Sequence, residues 1–344
     1  MSFRLPNPAI LALAGLVLVV ALLVVQQHRG QVQSTQPISV AQPTAGVAAG
    51  ANGDGVAAGA NGAVQPPPGS PTPAPGSPTP ADIFRRAIAL LEARQSISAR
   101  VRQANEIFGR RPVGSGLYLE QRLPGVTLFR LEMRLQLDDQ PSSLLEVCDG
   151  RYVWNYRKIL QQETLVRIDL ERVNHHLEEA GKWQPGCMGG LPAIGGLPRL
   201  MEALGANFSF TRADRILLRG QVPAWRLEGL WTPARLAQLL PEQAKSILGG
   251  KAPNLSNLPK QAPDRAVVFL GMDDLFPYRI EYRRRPDKQE SSDGPSDKMM
   301  TEIDFYDVAF DVPLPPTRFL YNPGNLPPTD ETDKFLHAMG VGGK

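Results

Sequence analysis

Between Arg4 and Arg29 the chain passes through seventeen residues, 9–25, that carry no charge and no strongly polar group: AILALAGLVLVVALLVV. As a helix rising about 1.5 Å per residue, this run would be about 26 Å long, within the range that spans a hydrocarbon core of about 30 Å. Cleavable signal peptides have shorter apolar regions that end in a small-x-small site. Here the run ends in Val-Val-Gln-Gln-His-Arg. Residues 1–29 are therefore read as a signal anchor with its transmembrane helix at about 9–25, cleavage in the Ala/Gly stretch beyond being the alternative. No cysteine directly follows the run, which excludes a bacterial lipoprotein anchor. Arg4 against Arg29 is too even a balance to set orientation by itself.

Residues 30–81 hold one charged side chain, Asp54, and almost no large apolar residue. Proline and glycine, 33 and 32 in the whole chain, are denser here than elsewhere. Ala-Gly-Ala-Asn occurs at 49–52 and 58–61, and PGSPTPA at 68–74 and again at 75–81. Such a segment cannot bury enough surface to offset its chain entropy, and its proline-rich half favours an extended polyproline rod. The reading is a disordered Ala/Gly/Pro-rich linker that tethers the C-terminal part of the chain to the apolar segment. Thirty-seven basic against 34 acidic side chains leave a net charge of +3. So small an imbalance in a long chain calls for no polyanionic partner, and nucleic acid is not expected.

Residues 82–344 have the pattern of one folded domain, with a C-terminal end expected to be flexible. Asp82 is placed to cap a helix whose apolar stripe is Ile83, Phe84, Ala87, Ile88, Leu90 and Leu91, closing near Arg94. The period then changes to two. Ile97, Ala99 and Val101 alternate with polar residues, 114–121 follow, and Phe129, Leu131, Met133, Leu135 and Leu137 face away from Arg130, Glu132, Arg134 and Gln136. Further strands are expected at 144–148, 152–156 and 165–173, with Asp149-Gly150 as the hairpin turn between the first two. The glycines of 181–198 forbid a regular element there. Beyond them come a short helix at 200–204 and strands at 208–210, 215–218 and 222–230. Thr232-Pro233 starts a helix bearing Leu236, Leu239 and Leu240, followed by a polar loop at 249–264. The last strands fall at 266–271, 278–284, 300–305 and 308–312, with a charged loop at 286–298. About eleven short strands and two or three helices, without a βαβ rhythm, make a mainly β fold with α: a half-open antiparallel β-barrel with helices covering the concave side.

The succession of a helix, SISARVRQ, GSGLYLEQRLPG, LFRLEMRL, LLEVCDGRYVWNY and TEIDFYDVAFDVPLPPTRFLYNPG resembles the LolA-like family of periplasmic lipoprotein carriers and outer-membrane lipoprotein-sorting proteins, in patches of residues 83–330. The most specific piece is VCDGRYVWNY at 147–156, a strand, an Asp-Gly turn and a strand with Trp and Tyr. The resemblance implies a helix-lidded half-barrel that accepts the acyl chains of a lipoprotein or another lipid. It also implies that Arg122 helps to hold the lid, although Leu123 separates it from Pro124 where the family has Arg-Pro directly. The carriers are usually free in the periplasm. An anchor and tether instead imply capture of lipid or acylated lipoprotein at the outer face of the bacterial inner membrane, in lipoprotein sorting or transport, by a single-pass protein whose residues 30–344 are periplasmic. The alternative is an envelope sensor or a protein-interaction domain that meets an envelope protein partner with the same fold.

Phe129, Leu131, Met133 and Leu135 are expected either as sheet core or as cavity wall, and Trp154 and Tyr156 either under a helix or at the cavity mouth. Arg122 is either a surface arginine or the lid residue. Cys148 and Cys187 are a candidate disulfide, closing a loop of about 40 residues in an oxidising compartment, the alternative being two thiols that never meet. His175-His176 is the one titratable pair that stands out, with Glu171, Glu178 and Glu179 nearby. Adjacent residues of a strand or turn point in different directions, so this pair is not expected to converge on a metal. No catalytic residue, metal or cofactor is expected, and a hydrolytic enzyme is the least favoured alternative.

Overall fold

Thr79, not Asp82, caps the first helix, α1 (Pro80–Ala93). Its hydroxyl accepts from the Asp82 N–H at 3.1 Å while the Asp82 carboxylate accepts from the Thr79 N–H at 3.2 Å, a reciprocal capping box. Pro80 stands at the first helical position, where a missing N–H leaves no bond unmade. The second PGSPTPA repeat thus ends as a helix start. The structure is a computed structural model that describes residues 78–106, 111–137, 140–159, 161–179, 195–259, 262–285 and 297–338. The apolar run at 9–25, the spacer as far as residue 77, residues 181–194 of the glycine-rich break with Cys187, and 286–296 of the charged loop lie outside the described residues; Gly196, Leu197 and Pro198, in the part of the break expected to hold no regular element, begin a helix, and Lys298 begins a strand. Among the described residues no helix is long and apolar enough to cross a membrane.

The strands β1 (Ser96–Asn105), β2 (Val113–Leu123), β3 (Val126–Leu137), β4 (Gln140–Cys148), β5 (Tyr152–Ile159) and β6 (Gln162–Asp169) form one antiparallel meander. Helix α2 (Leu170–Glu179) follows directly, so the strand expected at 165–173 stops four residues early. The Asp169 carboxylate accepts from the N–H groups of Glu171 and Arg172 and turns the chain into the helix. Helix α3 (Gly196–Asn207) leads into β7 (Phe208–Leu218), which pairs with β8 (Val222–Trp231). Helix α4 (Pro233–Leu239) starts where Thr232-Pro233 predicts, with the Thr232 hydroxyl as cap, and α5 (Ala244–Leu248) follows it. Strands β9 (Arg265–Gly271), β10 (Pro277–Arg284) and β11 (Lys298–Phe310) complete the large sheet. The two strands expected at 300–305 and 308–312 are one strand, β11, because Asp307 takes a positive φ of 50° opposite a register shift in β1 and the ladder continues past it.

A short strand and a helix end the described chain: β12 (Thr329–Asp330) adds parallel to β6, and α6 (Thr332–Ala338) packs on α2 through Phe335, Leu336, Val173 and Leu177. Among the described residues the order across the sheet is β12-β6-β5-β4-β3-β2-β1-β11-β10-β9-β8-β7, twelve strands with β12 and β7 at its edges. It is an open sheet, mainly antiparallel, rather than a closed barrel. Seven strand spacings of about 4.8 Å would set β3 and β7 about 34 Å apart if the sheet were flat, yet α3, only about 18 Å long, touches both. The sheet therefore curls around its helices.

Alternation gives the sheet two unlike faces. The inner face, toward α1 and α3, carries Val101, Tyr118, Phe129, Leu131, Leu227, Val268, Ile280 and Phe305 in one continuous core. The outer face over β8 to β11 is a ladder of ion pairs, including Arg279 with Asp304 at 2.6 Å, Arg283 with Glu281 at 2.7 Å and Arg265 with Asp297 at 2.9 Å. Over β2 to β6 the outer face carries apolar patches that are covered by the segment after β11: Leu314 and Phe319 on Leu119 and Leu128, then Tyr321 and Leu326 on Val147, Trp154 and Leu165. This C-terminal strap is part of the fold as far as residue 338, where the described residues end. Phe319, within the strap, is fully buried. Phe319→Ala should cost about 3–5 kcal/mol in a denaturant titration, whereas a strap lying loosely on the sheet would give a loss below about 1 kcal/mol.

Candidate functional site

The pleat brings Phe129, Leu131, Met133 and Leu135 of β3 onto the inner face as one wall. In the ladder they stand beside Glu120, Tyr118, Gly116 and Gly114 of β2 on one side, and beside Cys148, Glu146, Leu144 and Ser142 of β4 on the other. All four wall residues are buried, from Phe129 at 0% exposure to Leu135 at 9%. Helix α3 lies against this strand. The wall is therefore apolar and covered, which is the arrangement common to both sequence readings of these residues.

Two covering helices are tied to the sheet at one point. Glu120, fully buried on β2, accepts from the Leu197 backbone N–H at 2.9 Å, at the start of α3, and from the hydroxyl of Tyr118. The same Leu197 N–H reaches the Tyr118 oxygen at 2.9 Å. Gly196, at φ 69°, allows this seat: a Cβ there would stand 2.2 Å from the Glu120 carboxylate. Arg122, two residues along the same face, pairs with Glu120 and donates from its other amino group to the Leu91 carbonyl at 2.9 Å, in the last turn of α1. The sequence points to Arg122 but not to its partners Glu120 and Tyr118. Their signal is present in the strand LYLEQR, where Glu120 falls on the apolar parity and demands a partner.

Trp154 and Tyr156 lie on the opposite face from this wall. Odd positions of β5 share the inner side with Glu146 and Cys148, so the even positions Trp154 and Tyr156 face Val147, Leu145, Leu165 and the strap residue Tyr321, whose ring centroid is 5.5 Å from that of Trp154. They line no mouth on the helix side. The conspicuous motif around them is a turn device: the Asp149 carboxylate accepts from the N–H groups of Arg151 at 2.9 Å and Tyr152 at 2.7 Å, and from the Trp154 indole at 2.9 Å. Gly150 supplies the positive φ of 93° that the turn requires.

Cys148 is a buried thiol that donates to the Thr127 carbonyl at 3.3 Å, and burial pushes its pKa up to about 11. The candidate partner Cys187 lies outside the described residues. His175 and His176 sit on a helix rather than a strand or turn, and there they do approach: with Glu179 they offer three ligand atoms within 4.8 Å of one another. The group is at the surface of α2. His175 is 3.3 Å from the Glu179 carboxylate, and the His176 Nδ1 is 2.9 Å from the Arg172 carbonyl.

A buried acid that sequence reasoning missed interrupts the apolar wall. Glu146, 4% exposed, stands directly beside Leu131 in the ladder. One carboxylate oxygen, Oε1, accepts from the Asn155 side-chain amide at 2.6 Å, and Asn155 in turn accepts from the Arg157 Nε at 2.7 Å. The other, Oε2, is buried without a hydrogen-bond partner. Burial pushes the Glu146 pKa up to about 7 against the opposing pull of the Arg157 charge and the Asn155 bond. Strict two-residue spacing through Leu144, Glu146 and Cys148 was the available signal.

No family model and no curated protein sequence match the chain. Solved structures do. The chain is similar to the lipoprotein LppX of Mycobacterium tuberculosis, at 11% identity over 69% of this chain and 97% of that one, with a TM-score of 0.34. It is similar to LprF of Mycobacterium bovis, at 13% identity over 73% and 100% of the two chains, with a TM-score of 0.31. An outer membrane lipoprotein-sorting protein domain of Vibrio parahaemolyticus matches at 11% identity over 70% and 95%, also with a TM-score of 0.31. At these identities and TM-scores the likeness carries no residue role and no function over to this chain.

Glu146 makes stability depend on pH. Its pKa in the folded chain, about 7, lies above the usual 4.5, so the folded state holds the proton across that window and the unfolded state does not. Its contribution is fully present below about pH 4.5 and is lost as pH rises through about 7, a difference of about 3 kcal/mol. Glu146→Gln removes this dependence. Denaturant titrations should show the variant gaining on the wild type by about that amount between pH 4.5 and pH 8, and parallel pH profiles would show that Glu146 is solvated.

Proposed function

We propose that this chain is a non-catalytic binder of acyl chains, from a lipid or an acylated lipoprotein, held by its N-terminal anchor at the outer face of the bacterial inner membrane. The observation that carries the reading is the construction of the inner face. An apolar wall, Phe129, Leu131, Met133 and Leu144, interrupted by Glu146, is covered by helices whose polar fastening to the sheet gathers in the Tyr118–Glu120–Arg122 clamp. The helices form a separate layer over that wall. A hydrocarbon chain that slips between helix and wall exchanges one apolar contact for another and leaves the clamp bonds intact, so the layer can open without exposing backbone polar groups. Flexible acyl chains conform to such a wall, whereas a rigid ligand would require a preformed shape.

Titrating the full chain in detergent with an acyl-length series of one headgroup tests this. Affinity should rise with each added CH₂ by up to about 0.8 kcal/mol before the cost of ordering the chain. Affinity indifferent to acyl length, or no binding by a well-folded preparation, would leave the protein-interaction reading ahead. The location has its own check. Protease added to spheroplasts should remove residues 78–338 as part of an external domain, and protection behind a sealed inner membrane would overturn the assigned topology.

A further inference from the structure

A carboxyl in the middle of an acyl-binding wall needs an explanation that hydrocarbon does not supply. Glu146 neighbours Leu131 across the β3–β4 ladder and follows Leu144 on the same face, so it lies among the residues assigned to acyl contact. Its Oε1 is satisfied by Asn155 while Oε2, fully buried, has no partner. Buried polar atoms are nearly always paired, and each exception calls for a missing partner or a function. Beside it on β5, Arg157 stands next to Leu144 in the ladder and uses its Nε on Asn155, and among the described residues it has no ion-pair partner. Arg157 is half-buried, so its remaining N–H groups face the same side of the sheet at the margin of the wall.

We propose that Glu146 and Arg157 read the polar head of the acyl ligand, Glu146 Oε2 bonding a free hydroxyl and Arg157 donating to an adjacent ester carbonyl, as on an acylglycerol. This rests on the acyl-binding reading of the same face. The choice among heads follows from the two groups. A phosphate would bring negative charge against Glu146 in a buried setting. An ammonium would pair only with the ionised acid. A hydroxyl both donates and accepts, and so bonds Oε2 in either protonation state; with burial pushing the carboxyl to about 7, both states are populated near neutral pH. The Asn155 bridge fixes the Glu146 carboxylate and the Arg157 guanidinium relative to each other, which suits a ligand carrying donor and acceptor a few atoms apart.

The test compares two ligands of equal acyl length, 1-palmitoylglycerol and methyl palmitate, which differ in the hydroxyls. The full chain is held in a detergent without hydroxyl groups, and binding is read by displacement of a fluorescent fatty-acid probe. Wild type should prefer 1-palmitoylglycerol by about tenfold, the size of a hydrogen bond to a charged or buried acceptor. Glu146→Leu should reduce the preference to about twofold or less. Glu146→Gln, whose amide still donates and accepts, should retain an intermediate preference, and near-UV circular dichroism shows whether each variant is folded. If wild type binds both ligands alike, or Glu146→Leu keeps the full preference, head recognition by Glu146 is overturned and acyl binding stands. If neither ligand displaces the probe from a folded wild type and the acyl-length series is also flat, both readings fall together.

Discussion

A sheet of twelve strands that never closes must cover two faces and protect two edges with one chain. Every later feature answers that demand. The inner face is handled by curling the sheet around α1 and α3, so that Phe84 stacks on Phe210 and Tyr118 meets Phe129 and Phe305 at ring-centroid distances of 5.7 Å or less. The outer face is handled in two ways. Over β8 to β11, arginines and carboxylates lace the surface and make it wettable. Over β2 to β6, where Leu119, Val147 and Leu165 would be bare, the strap from Leu314 to Leu326 lies across the strands. The strap then protects the β6 edge by adding β12 and anchoring α6, with Arg167 paired to Asp330 at 3.1 Å and Arg172 to Asp333 at 2.7 Å.

Polar side chains on the apolar face are expensive, and the two buried glutamates of this face meet that cost differently. At the clamp, both carboxylate oxygens of Glu120 meet donors, so the cost of burial is offset by a charge-assisted set that fixes where both helices meet the sheet. At Glu146 the set is incomplete by one oxygen. The contrast between two buried glutamates, one saturated and one not, separates a structural acid from one with capacity to spare.

Much of this was legible in the sequence, because period-two alternation fixes parity. The wall residues of β3, the Asp149-Gly150 turn and the Thr232-Pro233 helix start all stand where pattern and turn chemistry put them. What was not legible depends on contacts distant in the chain. Nothing local says that Trp154 and Tyr156 should be covered by Tyr321, some 165 positions on, and an aromatic residue suits a mouth or a strap equally well. Parity could have placed them, since Cys148 and Val153 pair across the turn and assign the even positions of β5 to the other face. Residues 165–173 misled because Leu165, Val166 and Ile168 set a strand rhythm, and the break came from the Asp169 cap, which competes only once a helix can form behind it. The C-terminal strap carries too few periodic residues to declare itself, and its role comes from the apolar surface it meets.

Burial across the inner face is graded, and the gradient bears on where a ligand would enter. On β9, beneath the helices, Ala266, Val268 and Leu270 are wholly buried. On β5 and β6, Asn155, Arg157, Ile159, Val166 and Ile168 keep partial exposure. The clamp stands between these regions, on β2, and holds α1 and α3 down toward β7. On the acyl-binding reading, opening at the β7 side would break aromatic stacking and the junction of α3 with its own strand. Opening at the β5–β6 side disturbs Asn155, Arg157, Ile159 and Val166, which are half-buried. Entry at that side brings the hydrocarbon past Leu144 to Leu131 and Met133, and leaves the head of the ligand beside Arg157 and Glu146, whose Oε2 has bonding capacity unspent.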